Sequence, residues 1–136
     1  MNEFEFTWPV RVYYEDTDAG GVVYYANYLK FFERARTEYL RAQGFEQDKL
    51  RGEHGVVFAV RSVQADYRRP ARFNDLLAVN CILTGYKRAS LEFFQQVLRE
   101  EVILCEGNFR IACLDATSFR PRSIPKPLWR VLQSHE

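Results

Sequence analysis

The segment from Glu15 to Tyr28, which reads EDTDAGGVVYYANY, carries the residues in this chain most suited to chemistry. Asp18 is followed closely by a pair of glycines, which let the backbone approach a ligand closely. A carboxylate in such a loop can act as a nucleophile or as a base that takes a proton from water. A helix is expected to begin near Tyr25, and its unpaired N–H groups, from about Gly21 to Ala26, can stabilise negative charge on a carbonyl oxygen.

A long amphipathic helix is expected directly after this loop. From about Tyr25 to Gln43 the apolar residues recur with a period near 3.6, and Gly44 follows as a stop signal. A short second helix is expected from Glu46 to Glu53. The stripe of the first helix is rich in aromatic side chains, which need a large apolar surface to cover them. Its members are Tyr28, Phe31, Phe32, Ala35, Tyr39 and Ala42.

The remaining sequence favours long strands with a period of two. Pro9 predicts either an edge position or a late start for the first strand, and Pro70 ends the second. The connections at residues 87–89 and 100–101 are short enough for hairpins, so these strands should be antiparallel. The tail from Ser118 is expected to be irregular, with one helical turn from Leu128 to Leu132. The predicted strands are Phe6 to Tyr14, Gly55 to Tyr67, Leu76 to Tyr86, Ser90 to Glu100 and Val102 to Asp115.

These elements indicate an α+β fold in a single domain covering residues 1–136, which is an ordinary domain length. A curved sheet wrapped around the long helix would cover its aromatic stripe. Several folds share this order of elements, so the pattern alone leaves the choice among them open.

Composition narrows the possible partners. The net charge of +1 argues against DNA or another bulk polyanion, whereas a small phosphorylated ligand needs only a local basic patch. The cysteines at 81, 105 and 113 form no CxxC pair, so we expect neither a metal site nor a disulfide framework. Without a signal-peptide pattern or an apolar run long enough to span a membrane, we predict a cytoplasmic protein with reduced core cysteines and no cofactor.

The segment from Glu15 to Tyr28 closely resembles the signature of the 4-hydroxybenzoyl-CoA thioesterase family. The longer run VRVYYEDTDAGGVVY, which starts at Val10, is similar to the Tol–Pal-associated acyl-CoA thioesterases of Gram-negative bacteria. Three other segments resemble that branch, so the resemblance covers nearly the whole chain. They are FFERARTEYLR (31–41), FAVRSVQADYRRPARFND (58–75) and SFRPRSIPKPL (118–128).

This resemblance implies a hotdog fold, in which a curved antiparallel sheet of about five strands wraps a long central helix. It also implies a homodimer or tetramer with its site between subunits, and hydrolysis of acyl-CoA thioesters to free acid and CoA. Asp18 would attack the thioester directly, giving a mixed anhydride, or activate a water molecule, and the residues leave both routes open. The substrate-binding residues that it implies are Gly21, Val22, Ala26, Asn27 and Tyr28, of which the last two could equally just begin the helix.

Tyr25 departs from the Tol–Pal-associated branch, which usually has histidine there, and agrees with the hydroxybenzoyl branch, which carries tyrosine. Its backbone N–H can still serve at the helix start, and its phenol can hydrogen-bond substrate or water. A plain packing role is the alternative. Without an imidazole, the chain-length preference and pH profile of the histidine-bearing branch do not carry over.

Two basic groups are candidates for the phosphates of coenzyme A. Lys87, Arg88 and Ser90 resemble a phosphate-contacting stretch of the family, and arginine and lysine suit phosphate through charge and forked hydrogen bonds. The second group surrounds Pro70 and consists of Arg68, Arg69 and Arg72. Either group can instead be a solvated turn.

Several alternatives remain open. An isolated DTD is usually an ordinary turn. A hotdog hydratase needs a catalytic histidine, and His54 lies outside the Asp18 loop. The rival from another class is a non-catalytic scaffold that binds acyl-CoA or acyl carrier protein, linked to envelope phospholipid metabolism. Such a scaffold would not require Asp18. If the protein is an enzyme, the sequence also leaves open whether the thiol of its substrate is CoA or acyl carrier protein.

Overall fold

A computed structural model describes residues 5–134. Five antiparallel strands form one sheet in the spatial order β1-β3-β4-β5-β2. The predicted α+β class is therefore confirmed. The strands are β1 (Glu5–Arg11), β2 (Val56–Tyr67), β3 (Leu76–Lys87), β4 (Ser90–Arg99) and β5 (Val102–Asp115).

The predicted hairpins are present. β3 joins β4 through two residues, and β4 joins β5 through Glu100 and Glu101, the first of which has a φ of 57°. β1 lies at an edge of the sheet, which is one of the two alternatives that Pro9 predicted. Its predicted end at Tyr14 was wrong, because residues 14–16 turn into a 3₁₀ helix held by the Asp16 N–H, which donates to the Tyr13 carbonyl (3.0 Å).

The long helix α1 (Asn27–Ala42) lies against β1, β3 and β4. It begins two residues later than predicted, because the N–H groups of residues 27–29 bond three residues back instead of four. Gly44, with a φ of 95°, ends it as predicted. Ala42 was wrongly placed in the buried stripe and is exposed, whereas Leu40 and Arg36 are buried.

The second predicted helix is confirmed as a short turn, α2 (Gln47–Lys49), followed by a π-helical turn (Leu50–His54). The tail was underestimated. Instead of one turn it forms α3 (Lys126–Ser134), because Leu128 and Leu132 are both buried in the core and Trp129 packs edge-on against Tyr86 with ring centroids 4.9 Å apart. Pro127 is tolerated in the first turn, where its missing N–H would have no helical partner.

The sheet and α1 enclose one apolar core that contains a polar group. Arg36 is only 7% exposed, and its guanidinium donates to Oε1 of the fully buried Gln95 (3.0 Å) and lies over the ring of Phe109. Burial lowers the pKa of Arg36. Within residues 5–134, no helix is both long and apolar enough to span a bilayer.

Candidate active site

The Asp18 loop, residues 17–23, is a tight reversal stabilised by its own backbone. The Asp18 N–H donates to the carbonyl of Val22 (2.9 Å), and the Gly21 N–H donates to the carbonyl of Asp18 (3.0 Å). Gly21 has a φ of 80°, which favours glycine. The N–H of Val23 donates to the carbonyl of Ala71 (2.8 Å) and ties the loop to the segment before β3. The loop is therefore well positioned without being buried.

Asp16 stabilises the base of this loop. It is buried, and its Oδ2 accepts the N–H of Tyr13 (2.9 Å). Its carbonyl accepts both the N–H of Tyr24 (3.0 Å) and the side-chain amide of Asn27 (2.8 Å). The two carboxylates of the DTD motif thus differ in role: Asp16 is a turn and capping residue, and only Asp18 is exposed.

The Asp18 carboxylate is held at one oxygen and open at the other. Its Oδ1 accepts the N–H of Gly20 (2.8 Å), and no donor within residues 5–134 contacts Oδ2. A Cβ at position 20 would lie 3.2 Å from this Oδ1, so glycine there allows the close approach. The carboxylate is therefore oriented and still able to reach a substrate or a water molecule.

The helix start beside this loop offers unused donors. In the described chain, the N–H groups of Val22, Tyr25 and Ala26 donate to no protein acceptor, whereas that of Gly21 is used inside the loop. The predicted donor range is thus reduced to these three residues. Free N–H groups at the start of α1 suit an oxygen that becomes negatively charged.

The aromatic residues around the helix start fall into two groups. Tyr25 is 59% exposed and contacts Tyr67 at the end of β2, with ring centroids 5.8 Å apart. Its neighbour Tyr24 is also exposed, with ring centroids 4.8 Å from Tyr25, and interaction with the phenol of Tyr25 raises the pKa of Tyr24. Tyr28 is buried, and its hydroxyl accepts the N–H of Ala71 (2.9 Å). Within one chain, Tyr28 therefore stabilises the loop, and Tyr25 faces the solvent.

The predicted phosphate group lies far from Asp18 within one chain. The Asp18 loop adjoins the segment just before β3, which begins at Leu76, because Val22 forms an antiparallel bridge with Arg72. Lys87 ends β3 eleven residues later, which corresponds to roughly 36 Å of strand. Lys87 is exposed, while Arg88 donates through Nη1 to Ser123 Oγ (2.7 Å) and Ser90 begins β4.

The arginines of the second basic group, around Pro70, differ in whether they have an ion-pair partner. Arg68 pairs with Glu106 (2.7 Å), whereas the guanidinium groups of Arg69 and Arg72 have no partner among the described residues. His54 lies just before β2, at the end opposite to Tyr67 and so away from the Asp18 loop.

The cysteines offer no nucleophile. All three are free and buried, and burial raises the pKa of Cys105 to about 12 and that of Cys113 to about 11. Their thiols therefore stay protonated near neutral pH. The nucleophilic form is the thiolate, so these side chains are unreactive.

Comparison with known proteins identifies the family of this chain. The model of the Thioesterase-like superfamily matches residues 12–132. The chain belongs to this superfamily. The family predicted from residues 15–28 is thereby confirmed.

Two relatives and one structure illustrate the similarity. The acyl-CoA thioester hydrolase YbgC of Escherichia coli O6:H1 is 46% identical over 129 residues, covering 94% of this chain and 96% of that protein. The acyl-CoA thioesterase YbgC of Haemophilus influenzae is 46% identical over 121 residues, or 89% of each chain. The crystal structure of a probable thioesterase from Bartonella henselae has a TM-score of 0.86 and 35% identity, covering 90% of this chain and all of that one. The predicted hotdog fold is confirmed.

Sequence reasoning missed two contributors to the site. Tyr67 contacts Tyr25 although 42 positions separate them, and Ala71 bonds both Val23 and Tyr28. Nothing in the local sequence marks either residue, because both contacts depend on where β2 ends in space.

Proposed function

We propose that this protein hydrolyses acyl-CoA thioesters and that Asp18 is its catalytic carboxylate. The observation that carries the proposal is the open Oδ2 of Asp18, on a loop whose backbone is fixed, next to a helix start with unused N–H donors. The names of the 46% identical relatives support acyl-CoA as the substrate class.

The reaction needs two contributions from this site. The N–H groups of Tyr25 and Ala26 would polarise the thioester carbonyl and stabilise the tetrahedral intermediate. Asp18 would attack the carbonyl carbon, expelling CoA thiolate and leaving a mixed anhydride that water hydrolyses to the free acid. Alternatively, Asp18 would take a proton from a water molecule that attacks the same carbon, with CoA again leaving as thiolate. Both routes use the same carboxylate oxygen.

Gly21, Val22, Ala26 and Asn27 would then form the substrate-facing surface, mostly through their backbone. Asn27 also fixes Asp16, so its side chain acts as a support. Tyr25 would contact substrate or water through its exposed phenol.

We further propose that the complete site is shared between two copies of the chain. β2 is an edge strand, and six consecutive residues of it, 59–64, are exposed, including Val60 and Val63. Pairing of two β2 edges would cover this surface. It would also let the phosphate group of one copy, Lys87, Arg88 and Ser90, serve the Asp18 loop of the other, which one chain cannot do across roughly 36 Å of strand.

Thiol release from a panel of short, long and aromatic acyl-CoAs tests the proposal. We expect wild type to hydrolyse at least one, and Asp18→Asn to lose about 100-fold or more in kcat, as is typical for catalytic groups. Asp48→Asn is the matched control, because Asp48 is an exposed carboxylate whose Oδ1 also accepts a backbone N–H, that of Lys49. Tight acyl-CoA binding without turnover would instead favour the non-catalytic binding scaffold. Hydrolysis of acyl thioesters of acyl carrier protein alone would show that the substrate's thiol belongs to the carrier protein and not to CoA.

A further inference from the structure

Phe119 is an exposed aromatic residue in an unfavourable backbone conformation. Its side chain is 62% exposed and its φ is 60°, in the left-handed region where residues with a Cβ are disfavoured. The ring therefore contributes little to the core, and glycine or asparagine would suit the backbone better. A residue that costs conformational energy without packing in its own chain indicates a role for its side chain.

The turn that presents Phe119 is rigid. Asp115 Oδ2 accepts the N–H groups of Ser118 (2.8 Å) and Thr117 (3.0 Å), and its carbonyl accepts the N–H of Phe119 (2.9 Å). Its Oδ1 accepts Nη1 of Arg122 (2.9 Å). These hydrogen bonds, that from Ser118 first, lower the pKa of Asp115 to about 2. The backbone that carries the ring is thus fixed by hydrogen bonds to a charged residue.

The segment after Phe119 leads directly to the predicted phosphate group. Residues 120–122 run beside the end of β5, where the Asp115 N–H donates to the carbonyl of Arg120 (2.8 Å). The next residues reach the β3–β4 turn, where Arg88 donates to Ser123 Oγ (2.7 Å) and its carbonyl accepts the N–H of Ile124 (2.7 Å). From Phe119 to Ser123 the chain spans at most about 14 Å.

The surface between the ring and the turn is strongly basic. Residues 87–90 and 115–126 contain five basic side chains and a single carboxylate, that of Asp115, which is already engaged by Arg122. Lys87, Arg120 and Lys126 have no side-chain partner among the described residues. An exposed aromatic face beside unpaired cations matches a nucleotide, which combines a flat base with phosphates.

We propose that Phe119 is a stacking surface for the adenine base of coenzyme A. This inference rests on the proposed function, which assigns the phosphates of coenzyme A to the Lys87–Arg88 turn. A second protein copy is a poorer occupant, because the residues around the ring, Ser118 and Arg120 to Arg122, are exposed and mostly polar, while the centre of an interface is apolar.

The test compares Phe119→Gly and Phe119→Tyr on two substrates that share one acyl group, an acyl-CoA and the acyl-pantetheine thioester that lacks the nucleotide. We expect Phe119→Gly to raise KM for acyl-CoA roughly 5- to 20-fold with kcat within about twofold, the lower part of the range for base stacking. KM for acyl-pantetheine should not change. Phe119→Tyr should behave like wild type, and so should Trp8→Ala, which removes another exposed aromatic ring.

The melting temperature and the mass in solution separate this role from a structural one. Glycine accepts a positive φ, so Phe119→Gly should melt at or above the wild-type temperature with an unchanged oligomeric mass. A lower melting temperature or a smaller mass would show that the ring packs against protein, and the inference would be wrong.

The remaining outcomes separate the inference from the proposed function. If wild type prefers acyl-CoA to acyl-pantetheine and Phe119→Gly keeps that preference, adenine does not stack on Phe119, yet the thioesterase proposal stands. If wild type has the same KM for both, the Lys87–Arg88 assignment fails and the inference fails with it. If wild type hydrolyses neither, the proposed function itself is wrong.

Discussion

The two ends of the sheet, the Asp18 end and the Arg88–Phe119 end, are assembled differently. The Asp18 loop is built from consecutive residues, and its hydrogen bonds run mainly between residues 13 and 27. At the other end, Arg88 meets Ser123 across 35 positions of sequence. A site built from consecutive residues can be recognised as a motif, whereas a site assembled by tertiary contacts is visible only in the fold.

The division of labour between these ends can be tested by mixing variants. In a shared site, an Asp18→Asn chain supplies the basic turn, and a Lys87→Ala/Arg88→Ala chain supplies the carboxylate. Co-refolding the two in equal amounts should restore about a quarter of wild-type activity below KM, since half of the dimers are mixed and each has one intact site.

Each variant refolded alone is the control and should stay at its own low activity. If the mixture recovers no activity, either Asp18 and the Lys87–Arg88 turn of one chain serve the same site, or the basic turn is not used. In both cases the shared site would be wrong.

A smaller effect is expected at the base of the Asp18 loop. Asp16→Ala removes the carboxylate that accepts the Tyr13 N–H, and we expect the free energy of unfolding to fall by about 1.5–3 kcal/mol, as for a hydrogen bond to a charged group. Urea denaturation measures this. Glu15→Ala, at an exposed neighbouring carboxylate, is the control and should change the stability by less than about 0.5 kcal/mol. Equal losses in both variants would mean that the loop does not depend on Asp16.

Tyr28→Phe should destabilise the same end by a comparable or smaller amount. It leaves the buried N–H of Ala71 without its acceptor, which costs about 1–3 kcal/mol. Thermal or urea unfolding of Tyr28→Phe beside Tyr14→Phe, whose hydroxyl is removed from an exposed ring, gives the difference. If Tyr28→Phe is as stable as wild type, the hydroxyl does not hold Ala71 in solution.

The smallest effect concerns pH at the opposite end. The pKa of Asp115 is lowered to about 2 from its ordinary value of 3.8 by the N–H groups of Ser118 and Thr117. A lowered pKa gives stability that is present above about pH 4 and is lost as the pH falls toward 2. The protection of the Thr117 and Ser118 amides against hydrogen exchange, relative to their intrinsic exchange rates, should therefore fall across that window, and Asp115→Asn should remove this pH dependence. The same fall in protection in Asp115→Asn would show that another group causes it.

The features that could be predicted from the sequence are those built from consecutive residues, and the features that were missed depend on contacts between distant residues. The long helix and the five strands were accessible because they depend on local patterns. Arg36 was not expected to be buried, since its burial depends on Gln95 and Phe109. The length of α3 was missed because Leu128 and Leu132 are buried in a core formed largely by distant elements.

The candidate site shows the same limit. The sequence singled out Asp18 within the DTD motif but gave no role to Asp16, and only the fold shows that Asp16 is buried at the base of the loop. The conformation of Phe119 gave no sequence signal, because its positive φ results from the hydrogen bonds that Asp115 makes to the turn. Where a residue's role depends on partners far along the chain, residue types and spacing do not reveal it.

The most direct test of the central claim measures kcat for acyl-CoA hydrolysis by Asp18→Asn and, by calorimetry, the affinity of wild type and variant for free coenzyme A, which neither can hydrolyse. The account predicts that kcat falls about 100-fold or more while the dissociation constant stays within about threefold, because the exposed carboxylate acts on the reacting carbon and not on the nucleotide. A variant that keeps wild-type kcat, or one that loses binding and turnover together, would contradict the role of Asp18 as the catalytic carboxylate.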